Sequence, residues 1–408
     1  MTRQGKVWRQ RWLIVLAAGA VMGAALGIRH VQGLFLQPVT LDQGWSREVF
    51  GFTLALQNLV WGLAQPFTGM IADRFGSMKV ILPGMLLYAL GLFATAHSSS
   101  AAEFMLGNGF LIGIALSGTA FGAVYGALSR IFPAEHRSWA LGVAGSIGGL
   151  GQFCMVPFVQ NLLDGMGWIS ALMVLCAVMV LMSPLVFWLR DGNGAIRWPE
   201  KGELSMGEAI REACAHSGFW LLNLGFLACG FQLAFIAGHM PAYLMDKGMG
   251  PREAGIALAV ISLANIIGTY LSGYLGGLMR RKYLLSVIYL VRSAAMILFV
   301  ALPVSEVTVY AFSFVMGLIW LGTVPLTNGL VSQIFGVRYI TTLFGIVFFG
   351  HQLGAFLGVW LGGYVFDLTK SYDLLWFGSI ALGLLAAALH MPINDANVVR
   401  EEPLVQRA

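Results

Sequence analysis

Five side chains that titrate or carry positive charge stand inside long apolar runs of this sequence: Arg29, His30, His239, Arg292 and His351. No carboxylate matches them, because all 19 acidic residues fall in polar connections or at the ends of the apolar runs. If the runs cross a membrane, a guanidinium at mid-depth costs at least about 2.5–3.5 kcal/mol and persists only beside a partner or a water-filled cavity. The economical counter-ion is then an anion from outside the chain, most simply a substrate carboxylate. Arg29 is the stronger candidate ligand, with bonding to helix carbonyls as its structural alternative. For Arg292 a packing or snorkelling role is the default. His351 follows Phe344, Val347 and Phe348 at helical spacing and precedes Gln352. An imidazole titrates near neutral pH, so it can pair with an anion or carry a proton. With no acid to relay protons, His351, His30 and His239 are the candidates for proton coupling, each with a neutral interhelical hydrogen bond as the alternative.

Neutral polar residues recur at helical spacing around these charges. Gln57, Trp61 and Gln65 share one face, as do Gln232, His239 and Tyr243, Phe121 and Tyr125, and Asn265 and Thr269. Thr327 and Asn328 follow Pro325, a helix-interrupting residue. Asn58 points about 100° away from Gln57 and is expected between helices. Amides and hydroxyls suit carboxylate oxygens, and equally suit interhelical hydrogen bonds worth about 0.6 kcal/mol each. The expected substrate site is therefore Arg29, His351, Gln57, Tyr125, Asn265, Thr269, Asn328 and Gln352.

The elements that must position these residues follow from composition. The chain has 408 residues, 58% hydrophobic and only 11% charged, with mean hydropathy +0.78. That excludes a soluble globular domain, in which about a quarter of residues are charged. With 52 glycines and 27 phenylalanines it reads as packed helices in lipid. The net charge of +5 comes without zinc spacing or an aromatic single-strand platform, so nucleic acid is not an expected partner. Cys154, Cys176, Cys214 and Cys229 are scattered without ligand spacing, and no metal, disulfide or cofactor is expected. Membrane-enzyme chemistry is disfavoured because no HExxH, GxSxG, phosphate loop or paired acid occurs.

Crossing the hydrocarbon core takes about 20 apolar residues, and twelve such runs occur. They are approximately Trp12–Pro38, Val49–Ile71, Val80–His97, Phe104–Ser129, Trp139–Leu162 and Trp168–Leu189, then Phe219–Leu244, Ala254–Met279, Tyr283–Pro303, Val307–Ile334, Ile340–Phe366 and Leu374–Met391. We number them spans 1 to 12. Span 1 is too long for a cleaved signal. With the N-terminus inside, eighteen of the 24 Lys and Arg residues fall in cytoplasmic segments and four in outer loops. By the positive-inside rule both termini are expected in the cytoplasm. Residues 1–190 and 218–392 then form two six-helix bundles, with a linker at 191–217 and a tail at 393–408. Ser205 stands three residues before Glu208, a capping-box spacing that predicts a short interfacial helix in the linker.

The turn after span 2 reads GMIADRFGSMK from Gly69, and that after span 8 reads GYLGGLMRRK from Gly273, 204 residues later. Two related halves imply a carrier that rocks around a midplane site. Gly69, Asp73, Arg74 and Gly76 match the GxxxDRxG signature of the major facilitator superfamily, and the whole chain resembles that family. The resemblance implies an all-α membrane fold of twelve helices in two pseudo-symmetric bundles. It also implies that Gly69, Asp73, Arg74 and Gly76 form a latch between the halves favouring the outward-open state. The C-terminal echo lacks the acid, leaving a second latch in doubt. Span 1 lines the central cavity in this family, which favours Arg29, whereas span 9, carrying Arg292, is normally peripheral. GLFLQPV, GWSREVF and the stretch Phe344 to Gly358 resemble the bacterial monocarboxylate and oxalate:formate branch. Two departures stand against that branch: no arginine occurs in span 8 near Thr269, and His351 replaces a lysine in span 11. Gly145, Gly149 and Gly151, before Pro157, resemble the family's glycine-rich span 5, and close packing is the expected role. Span 4 lacks the basic residue that drug antiporters place around Leu106 to Gly109.

The leading expectation is a monomeric secondary transporter of the inner membrane that moves a small organic anion, a monocarboxylate, with protons. An anion exchanger of dicarboxylate type, an exporter of hydrophobic compounds, a channel and a non-transporting ligand sensor stay open as alternatives.

Overall fold

Apolar segments in a bilayer must satisfy their backbone groups internally, which leaves helices as the solution for runs of this length. The computed structural model describes residues 3–45, 47–190 and 204–398, all helix or short connection, with no strand among the described residues. Ten helical stretches among them are long and apolar enough to cross a membrane. One, Ala134–Leu189, is 56 residues long and holds spans 5 and 6, joined where Gly167 turns the backbone at φ 76°. Span 2, Arg47–Phe75, carries Gln57, Asn58 and Gln65 and so falls short on apolarity while remaining a continuous 29-residue helix. The total is the twelve crossings expected from the sequence.

Two spans are broken near their middles. Span 4 passes through a π-helical turn at Met105–Leu111 and an extended residue at Ala120 (φ −90°, ψ −151°). Span 10 runs Glu306–Leu318 and resumes at Thr323–Phe335. Pro325, expected to be the interruption, instead sits in the first turn of the second segment, where its missing N–H removes no helical bond. The interruption is the four residues before that segment. Span 1 also extends beyond Pro38, through a 3-10 turn at Val31–Phe35 into Leu36–Gln43.

Spans 1 and 5 pack along each other in the first half, as do the corresponding spans 7 and 11 in the second. Across the halves, span 2 meets span 11 and span 5 meets span 8. Leu63, Phe67, Leu181 and Leu278 face outward and exposed, as lipid contact requires. In the second half Phe235, Tyr243, Phe299, Phe312 and Trp376 form an aromatic core.

The linker residues 191–203 lie outside the described residues. Its remainder holds the helix Met206–Ala215, capped reciprocally: Ser205 Oγ accepts from Glu208 N at 3.3 Å, and Glu208 Oε2 accepts from Ser205 N at 2.7 Å. Of the tail, residues 399–408 lie outside the described residues. Its described part straps the turn between spans 8 and 9. Asp395 pairs with Arg280, Lys282 Nζ donates to Ile393 O at 2.7 Å, and Gln333 Nε2 donates to Asp395 O at 2.8 Å. The carboxylate missing from the C-terminal echo is thus supplied to Arg280 from elsewhere in the chain.

The Arg280 hydrogen bond holds the Asp395 carboxyl below the ordinary carboxylate range. A depressed native value means the pair stabilises above the unfolded value of about 3.9 and loses that contribution as pH falls through the native value. Because the Arg280 side chain is 56% exposed, solvent screening keeps that contribution small. The melting temperature of the parent should exceed that of Asp395→Asn at neutral pH, and the gap should close under strong acid. A gap that ignored pH would contradict the pairing.

Candidate functional site

A cavity of about 510 Å³ lies between the two halves. Its walls come from the second part of span 1, the first part of span 2, and spans 7 and 11 from near their middles onward. It therefore opens at the end opposite the turns that carry Asp73 and Arg280. Trp61, Phe121 and Phe348 form its floor, with ring centroids 5.0 Å apart for Trp61 and Phe348 and 6.3 Å for Phe121 and Phe348.

Arg29 enters from span 1, half-buried, and its Nη2 donates to Asn58 Oδ1 at 2.5 Å. Its Nε has no partner, and no carboxylate pairs with it among the described residues. His30, on the next position, lines the same wall. From span 11, His351 and Gln352 face them: Nδ1 of His351 lies 3.2 Å from Gln352 Oε1, and its Nε2 is buried without a partner. The imidazole stacks on Phe348 at 5.3 Å and lies 4.6 Å from Phe226. Guanidinium donors, two imidazoles and three amides (Asn58, Gln152 and Gln352) thus share a cavity whose remaining walls are largely apolar, including Leu26, Leu54, Leu233 and Leu321. Such a site suits one anionic head and an apolar body.

Other residues expected in the site lie elsewhere. Gln57 is fully buried and donates to Asn108 O at 2.7 Å, tying span 2 to span 4. Its neighbour Asn58, expected between helices, is the one that lines the cavity. Asn265 Oδ1 accepts from Thr269 Oγ1 at 3.0 Å and from Leu321 N at 3.1 Å, so both residues brace the break in span 10. Asn328 Oδ1 accepts from Ser129 Oγ at 3.0 Å, a bond between the halves near the closed end. Tyr125 is fully buried with its hydroxyl against Gly145. His239 Nε2 lies 3.0 Å from Val359 O, joining spans 7 and 11 outside the lining. A signal for Asn58 existed: Gly51, Leu54, Ala55, Asn58 and Trp61 lie on one helical face, and its small residues leave room for a ligand.

The closed end is built around Asp73. Its carboxylate accepts from Arg130 Nη1 at 2.6 Å in span 4, and from Thr341 N at 3.1 Å and Thr342 N at 2.6 Å at the start of span 11. The last two contacts set the carboxylate on a helix N-terminus, where free N–H groups favour negative charge. Arg74, expected in this latch, is exposed and lies over the Phe75 ring; the guanidinium that meets Asp73 belongs to Arg130. Gly69 permits the approach, because a Cβ there would stand 2.5 Å from Thr341 O. The echo repeats the device: Gly273 and Gly142 touch backbone to backbone where spans 8 and 5 cross. There Arg281 Nη2 donates to Ser138 Oγ of the other half at 2.7 Å.

Arg292 takes the structural role considered for Arg29. It is fully buried, and its Nη2 donates to Ile319 O at 2.5 Å and Trp320 O at 2.7 Å, the carbonyls left open by the break in span 10. Trp320 and Leu321, beside that break, line the cavity.

Twelve crossings in two halves that meet around a central cavity, joined at one end through Asp73, Arg130 and the start of span 11, are the architecture of a membrane carrier. The chain belongs to the Major Facilitator Superfamily, whose sequence model matches residues 13–359. This is a family of membrane transporters, not of enzymes. The MFS-type transporter YcxA of Bacillus subtilis (strain 168) is 25% identical, covering 96% of this chain and 98% of that protein. Monocarboxylate transporter 11 of Mus musculus is 27% identical, covering 94% of this chain and 88% of its own. Among solved structures, the fold resembles a crystal structure of the transporter FucP in the outward conformation, with TM-score 0.70, 15% identity and coverage of 93% and 97%. The superfamily membership expected from GxxxDRxG is borne out.

Proposed function

We propose that this transporter moves a small monocarboxylate with an apolar body, together with a proton, by alternating access across the inner membrane. The observation that carries this reading is Arg29: a guanidinium on the cavity wall with a free Nε, one amide partner and no carboxylate among the described residues. Asn58 orients it, while His351 and Gln352 complete the polar side. The substrate's apolar portion rests on Trp61, Phe121 and Phe348. A single permanent positive charge in the lining favours one carboxylate over two. The name of the mouse relative, a monocarboxylate transporter at 27% identity, agrees with this. The basic end is cytoplasmic by the positive-inside rule, so both termini are inside and the cavity opens outward. One copy of the chain contains the whole site, and it functions as a monomer.

The test is a thermal-shift screen of the purified protein with propionate, lactate, succinate and an apolar cation. A ligand that binds only the folded state raises the melting temperature. Propionate and lactate should stabilise more than succinate. Stabilisation by the apolar cation with none by any carboxylate would overturn the reading in favour of hydrophobic-compound export. In His351→Asn, uptake driven by a pH gradient should lose its dependence on external pH, and full pH dependence in that variant would remove His351 from the proton path.

A further inference from the structure

Arg292 poses a charge problem that substrate binding does not solve. Its side chain is fully buried on span 9, and no Asp or Glu is among its described partners. A buried charge left without its partner costs about 3–5 kcal/mol. The groups facing it are the carbonyls of Ile319 and Trp320, Cys229 and Gln232 of span 7 and Tyr289 of its own helix, with Thr323 of span 10 against Cys229. His351 of span 11 adjoins Cys229. Gln232 and Thr323 do not ionise. Tyr289 presents its ring to the guanidinium at 5.5 Å, and its hydroxyl has no partner. The one ionisable atom hydrogen-bonded to the guanidinium is Cys229 Sγ, 3.1 Å from Nη1, with Thr323 Oγ1 at 3.3 Å on another side. Cationic neighbours stabilise thiolates, and a hydroxyl can donate to one.

We propose that Cys229 is a thiolate paired with Arg292, and that this thiolate is the proton-binding site of transport. The proton enters on His351, which lines the cavity and adjoins Cys229. Transfer breaks an imidazole N–H bond, returns that electron pair to the ring and forms Sγ–H with a thiolate electron pair. Before the proton arrives the guanidinium and thiolate charges cancel. Afterwards the pocket carries one net positive charge, which a carboxylate in the cavity beside His351 neutralises. Protonation and anion binding each favour the other, and by linkage the coupling is reciprocal. This coupling rests on the carboxylate reading above; the ionisation of Cys229 does not.

The two are separated by one set of measurements. Cys154→Ser, Cys176→Ser and Cys214→Ser together leave Cys229 as the sole thiol and change only positions that are exposed or half-exposed. The infrared S–H stretching band of this variant should be absent at neutral pH and appear on acidification. Saturating propionate should move that appearance to higher pH by at least one unit. An S–H band already present at neutral pH would overturn the thiolate. A band whose midpoint ignores a propionate that does raise the melting temperature would overturn the coupling. If no carboxylate shifts the melting temperature, the substrate reading fails while the band still decides the ionisation. In proteoliposomes, Cys229→Ser should lose at least tenfold of the propionate uptake driven by a pH gradient. Full gradient-driven uptake by that variant would also overturn the proposal.

Discussion

Arg29→Ala should abolish measurable propionate uptake in proteoliposomes while the protein still inserts and folds. A hydrogen bond from a charged donor contributes about 1.5–3 kcal/mol, and the Nη atoms of Arg29 offer more than one such bond to a carboxylate. Affinity should fall about a hundredfold for a loss near 2.7 kcal/mol. Arg29→Lys should recover little of it, because an ammonium keeps the charge but not the planar fork of donors. The ligand-free variant should melt no lower than the parent, since removing an uncompensated cation from the membrane relieves a cost. That combination, lost uptake with undiminished stability, marks a ligand-binding residue. Near-parental uptake by Arg29→Ala would remove Arg29 from the site.

Asp73→Asn acts at the opposite end and on a different quantity. The carboxylate is nearly fully buried and joins span 2 to Arg130 of span 4 and to the N–H groups of Thr341 and Thr342 of span 11. Removing its charge breaks the buried ion pair with Arg130, at a cost of about 3 kcal/mol. The cost falls only on the conformation in which the halves meet at this end, so their equilibrium shifts by about two orders of magnitude toward separation there. Spin labels in the turn after span 2 and in the turn between spans 10 and 11 should report a longer distance as the main population. Arg74→Gln, which alters an exposed side chain, should change that distribution little. Equal effects from the two substitutions would refute the assignment of Arg130 as the latch cation.

Much of the architecture was legible because a bilayer leaves few choices. Length, apolarity and the GxxxDRxG turn led to twelve crossings and the family. The cavity lining was legible where chemistry is rare, at Arg29 and His351, since an ionisable group in lipid has few bland explanations. It was poorly legible where two polar neighbours compete. Gln57 and Asn58 point about 100° apart, and only the positions of spans 1 and 4 decide that Asn58 meets Arg29 while Gln57 meets Asn108. The same limit hid Arg130, whose partner Asp73 lies 57 residues away. It also hid the pairing of Arg292 with Cys229, 63 residues apart on helices with no shared motif. Pro325 misled for a local reason: proline disrupts a helix interior but is well tolerated in a first turn.

The strap that joins Asp395 to Arg280 spans 115 residues of chain. Chains emerge from the ribosome at about 5–20 residues per second, so the turn between spans 8 and 9 waits roughly 6–23 seconds for its carboxylate. The first half carries its own acid at Asp73, which meets Arg130 after 57 residues, while its bonds to Thr341 and Thr342 wait for span 11. Assembly of the carrier is therefore asymmetric in time even though its halves are related in space. During that interval the basic turn of the second half is open to whatever anionic surface lies beside it, including lipid headgroups.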